Sequence, residues 1–61
     1  MANLTGTELN SIREVVTSHQ NIASKLDSYS QSVNCPQLRQ MFDKGAQDAR
    51  KNAMDLINMI K

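Results

Sequence analysis

The sequence predicts an all-α protein: a two-helix antiparallel hairpin that dimerises into a four-helix bundle. Three observations carry this prediction. Two long apolar stripes recur at helical spacing. A single break, at Pro36, separates them. Each stripe is wider than one helix–helix seam can cover.

The first helix is expected over about residues 6–33. It opens in "LTGTEL", where Thr5 and Glu8 have the spacing of a capping box, each side chain satisfying a free backbone N–H of the first turn. Leu4 and Leu9 then stand where a hydrophobic staple would pack, and Thr7 is the alternative cap. Downstream, Leu9, Ile12, Val15, Val16, His19, Ile22, Ala23, Leu26, Tyr29 and Val33 follow steps of one, three and four and trace a wide stripe, flanked by Val15, Ile22 and Tyr29. The other face is rich in serine, a mediocre helix former, so this helix depends on packing more than on propensity.

"VNCPQL" interrupts the pattern. Pro36 disfavours helical geometry at the residue before it and suits the first turn of a new helix. The connection is expected over 34–36, with Cys35 or Asn34 as the cap and Asn34 carrying the better side chain for it. The second helix, about 36–60, has a stripe of Leu38, Met41, Phe42, Gly45, Ala49, Asn52 and Ala53, continued by Leu56, Met59 and Ile60. Ala46 and Ile57 flank it, with Ala53 and Ile60 at its edge. Lys44–Asp48 and Lys51–Asp55 are i,i+4 pairs on the opposite, solvated face. Folding one helix back on the other sets Tyr29 near Phe42, Leu26 near Gly45, Ile22 near Ala49 and His19 near Asn52.

Composition narrows the function classes. The chain of 61 residues makes one domain, 1–61, near the lower size limit for folding alone. Seven basic and six acidic residues, with neither sign in a block, argue against electrostatic nucleic-acid binding. Tyr29 and Phe42 are the only aromatics, too few for a base-stacking platform. No run of about 18 apolar residues suggests a membrane span, and no basic start followed by an apolar stretch suggests a secretory signal. The single cysteine, Cys35, cannot form an internal disulfide, which fits a reducing, cytoplasmic setting.

His19 and Asn52 are the polar residues expected on the packed stripes. The expectation is a core polar layer, with His19 bonded to Asn52 or to a group of a second chain, fixing register between helices. His19 is also the one weak candidate for a metal ligand. A di-metal bundle site needs inward carboxylates and Glu-x-x-His pairs, and no such pair occurs. Neither a phosphate-binding glycine loop, a catalytic triad nor zinc-ligand spacing is present, so no enzyme activity and no cofactor are expected. Core or dimer packing is assigned to Leu9, Ile12, Val16, Ile22, Leu26 and Tyr29 on the first helix, and to Phe42, Ala49, Leu56 and Ile60 on the second. Cys35 is read as an inert thiol or as one partner of an intermolecular disulfide.

"LTGTEL", Tyr29, "CPQLRQMF" and Ala46 together give the chain a resemblance to the spore coat protein F-like (Coat F) domain, over about residues 4 to 60. That family has a ferritin-like helical character and occurs in endospore-forming bacteria. The resemblance implies a non-enzymatic component of the spore coat or the sporulating cell that acts by homodimerisation and contacts with other coat proteins. Members often carry aspartate at the position of Cys35, glutamate at that of His19, and histidines at those of Ala49 and Asn52. This chain departs from the pattern at each of them. The alternatives are a degenerate ferritin-like binder of a metal or small ligand, and a small adaptor of a larger protein.

Overall fold

The computed structural model describes residues 3–60; Met1, Ala2 and Lys61 lie outside the described residues. Two helices, α1 (Gly6–Ser32) and α2 (Pro36–Ile60), form an antiparallel hairpin, and no strand occurs among the described residues. The hairpin is a rod whose Cα trace measures 46 × 15 × 11 Å.

The start of α1 is locally determined. Thr5 is extended at φ −72°, ψ 164°, and its Oγ1 accepts from Glu8 N at 3.1 Å. Thr5 N donates to Glu8 Oε1 at 3.0 Å, which closes the capping box. At the far end Val33 is extended, φ −96° and ψ 147°, so α1 stops at Ser32. The Val33 N–H still donates to Tyr29 O at 3.2 Å, which satisfies one of the last carbonyls of the helix.

The second cap falls on Cys35, not on Asn34. Arg39 N donates to Cys35 O at 3.0 Å, the first bond of α2, with Pro36 as its first residue. The restriction that proline places on its preceding residue decides this, and the chemistry of the asparagine side chain does not override it. Arg39 also reaches back across the connection, its Nε donating to Val33 O at 2.7 Å. The linker is thereby tied to the first turn of α2.

The seam between the helices is built mostly from small residues. Ala23 of α1 is fully covered and packs against Ala46 and Ala49 of α2, with Leu26 alongside. Val16, Ser30 and Ala53 extend the buried row. On α1, Val16, Ala23 and Ser30 stand at i, i+7 and i+14. On α2, Phe42, Ala46, Ala49, Ala53, Leu56 and Ile60 alternate steps of four and three. Both are heptad spacing, the signature of two helices meeting along a coiled seam.

The seam on α2 is therefore rotated from the expected one. Ala46, read as a flank, is buried along with Ala53 from the edge of the stripe, whereas Leu38, Met41, Asn52 and Met59, read as part of the packed stripe, are exposed. Alanines allow the helix axes to approach, and the row that brings α2 closest to α1 wins over the row with the largest side chains. The register along the rod is as the folded-back sequence suggests. The Tyr29 and Phe42 rings lie 6.1 Å apart, tilted by 57°, and Leu26 Cδ1 sits against Gly45.

Candidate interaction surface

The rows of α1 differ sharply in cover. Ile12, His19, Leu26 and Val33, beside the seam, are half-buried, while the next row outward, Val15, Ile22 and Tyr29, is exposed. Those residues repeat at i, i+7 and i+14 and form a straight apolar line along the helix. On α2 the equivalent outer row is Leu38, Gly45, Asn52 and Met59. The contacts of Tyr29 with Phe42 and of Leu26 with Gly45 place both outer rows on the same side of the hairpin. Met41, 67% exposed, adds to that side from the rim. Ile22 at 49% and Tyr29 at 52%, expected as packing residues, are thus left uncovered by their own chain.

The opposite side is tied by charge and carries one exposed large apolar side chain, Met54, beside Gln20, Ser24 and Arg50. Arg50 donates from Nη2 to Asp27 Oδ2, with Nη1 at 3.5 Å from Oδ1, a forked pair joining the two helices. Its hydrogen bond to Arg50 holds the Asp27 carboxyl below the ordinary aspartate value and raises Arg50 in turn. Sequence reasoning missed this pair; with the register in hand, residues 27 and 50 stand near one another on the same flank of the seam. On the outer edge of α2, next to Met41 and Gly45 and away from this pair, Lys44 and Asp48 pair at 3.1 Å, and Lys51 and Asp55 at 2.9 Å, as their spacing suggests. The hydrogen bond to Asp55 raises Lys51 above the ordinary lysine value. All these side chains are solvated, so the pairs fix orientation more than they stabilise.

The expected polar layer does not form within the chain. His19 Nδ1 lies 2.9 Å from Val15 O, the carbonyl one turn back in its own helix. Asn52 is exposed on the outer row, and no hydrogen bond links it to His19 among the described residues. The ring thus bonds to a carbonyl of its own helix and not to Asn52 across the seam. The buried polar residue that sequence reasoning overlooked is Ser30. Its position seven residues after Ala23 was the available signal.

No group of three or more histidine, cysteine or acidic side chains is placed to hold a metal ion among the described residues. Cys35 is exposed at the start of α2. A shallow groove is lined by α2 alone, through Gln37, Met41, Lys44, Gly45 and Asp48. Walls from a single helix do not converge polar groups on a small molecule as a binding pocket does. No described helix is long and apolar enough to cross a membrane.

Fold and surface define the protein as a two-helix hairpin with one uncovered apolar side. No family model, curated protein or solved structure matches the chain.

Proposed function

We propose that this protein acts by self-assembly, as a non-enzymatic structural component: two hairpins cover each other's apolar side and make a four-helix homodimer. The role follows the one implied by the Coat F resemblance, a building unit of a spore coat-like layer that works through protein–protein contacts.

One observation carries the reading: Val15, Ile22, Tyr29, Leu38, Met41 and Met59, large apolar side chains, stand exposed outside the hairpin's seam. The buried apolar set is Val16, Ala23, Ala46, Ala49 and Ala53, and no large side chain is fully buried. Full burial of a leucine or isoleucine contributes about 1.5–3 kcal/mol, and a lone hairpin leaves nearly half of that ungained for Ile22, Leu38 and Val15. An apolar row beside a heptad seam is the pattern of a bundle helix rather than of a two-stranded coil.

Sedimentation equilibrium at micromolar concentration tests this. The expected species is a helical dimer, and Ile22→Glu should shift it towards an unfolded monomer. A wild-type chain that remains a folded monomer would refute the proposal.

A further inference from the structure

We infer that the dimer's two-fold axis runs perpendicular to the rod at the level of Ile22 and Ala49, so that α1 packs antiparallel on α1 of the second copy and α2 on α2. The inference rests on the self-assembly reading above and adds the geometry of the contact.

Three patterns share that level. On α1 the exposed row Val15, Ile22, Tyr29 is centred on Ile22. Reversing a second copy about this point brings Ile22 onto the partner's Ile22, and Val15 onto the partner's Tyr29. On α2 the outer row Leu38, Gly45, Asn52, Met59 is centred between residues 48 and 49. The same reversal sets Leu38 on the partner's Met59, large against large, and Gly45 on the partner's Asn52, small against polar. The contacts of Tyr29 with Phe42 and of Leu26 with Gly45 set the register of the hairpin, and that register puts Ile22 level with Ala49. The centres of two rows on separate helices thus coincide in height, as one two-fold axis requires.

The third pattern is charge. Along the rim of α2 the charges run Lys44, Asp48, Lys51, Asp55, alternating in sign. Reversal at the level of Ala49 brings Lys44 to within one residue's rise, about 1.5 Å, of the level of the partner's Asp55, and Asp48 likewise of the partner's Lys51, so that opposite signs lie side by side. The Asp48 carboxylates nearest the axis are each already paired with Lys44 of their own chain, at 3.1 Å. On the rim of α1, Ser18 and Lys25 exchange places, and no like charges face each other there.

The competing arrangement has its axis along the rod and sets α1 against α2 of the second copy. The two differ in which residues meet themselves. With the perpendicular axis, Ile22 faces the partner's Ile22 across neighbouring helices about 8–10 Å apart, within reach of a disulfide. With the parallel axis these positions lie on diagonal helices, about 11–14 Å apart by the same spacing, beyond that reach. The perpendicular axis also sends the two Cys35 thiols to opposite ends of a rod 46 Å long.

Thiol cross-linking decides between them. In a Cys35→Ser background, Ile22→Cys is oxidised with diamide, and Leu38→Cys combined with Met59→Cys is treated likewise. Circular dichroism and sedimentation first establish that each variant is a helical dimer. The expected result is conversion of most of the chain to a covalent dimer of twofold mass in both cases, and none for Leu38→Cys alone. A dimer by sedimentation in which neither variant cross-links overturns the axis and leaves self-assembly standing. A folded monomer overturns both.

Discussion

A Cβ built on Gly45 of α2 stands 3.0 Å from Leu26 Cδ1 of α1. The neighbour is the free end of a flexible, half-buried side chain, so it can give way by a small rotation. Against that small cost stands the helix propensity of alanine over glycine, about 1 kcal/mol. Gly45→Ala should therefore raise stability by about 0.5 kcal/mol, a few degrees in Tm. Gly45→Leu should lower it, because the added branch cannot share the space with Leu26. A thermal melt in which the alanine variant is the less stable of the two would sink this account of the contact.

The capping box and the Asp27–Arg50 pair give the protein an acid-sensitive margin. The backbone N–H of Thr5, and secondarily its hydroxyl, hold the Glu8 carboxyl below its ordinary value, and Arg50 does the same for Asp27. A carboxyl depressed in the folded state contributes stability above its unfolded pKa and loses it as pH falls through the folded one. Helicity and the urea midpoint should be flat from pH 7 to about 5 and fall below about pH 4, where free carboxyls titrate. The double variant Glu8→Gln, Asp27→Asn should start lower at pH 7 and fall less steeply. Equal slopes for the two proteins would remove these groups as the cause. Thr5→Ala should cost about 1 kcal/mol irrespective of the acid branch.

Ala23 tests the closeness of the seam. It is fully covered and faces Ala46 and Ala49, so no space is left for a larger side chain. Ala23→Leu should destabilise the fold by about 1–3 kcal/mol, although leucine is a strong helix former and more apolar. Chemical denaturation measures it. An unchanged or raised midpoint would mean that the helices are not held together at this row.

Elements and ends were legible in the sequence because local chemistry sets them. Thr5 and Glu8 form the capping box that their spacing announces, and Pro36 opens α2. The hairpin register was legible too, since a short connection between two long stripes leaves few ways to align Tyr29 with Phe42. The candidate site was less so. His19 was matched to Asn52 by level alone, and it turned instead to Val15 O in its own helix.

The sequence by itself determined two helices, where they begin and that they fold back on each other, because caps, proline and periodicity act within a few residues. Only the tertiary structure decided which row of α2 meets α1, and so which apolar residues stay outside. A helix rotates about its axis at little local cost, and hydropathy ranks Leu38, Met41 and Met59 above Ala46 and Ala53. Close packing of two backbones favours the small residues at the seam. This turns the large ones outward, onto the side that a second chain would cover.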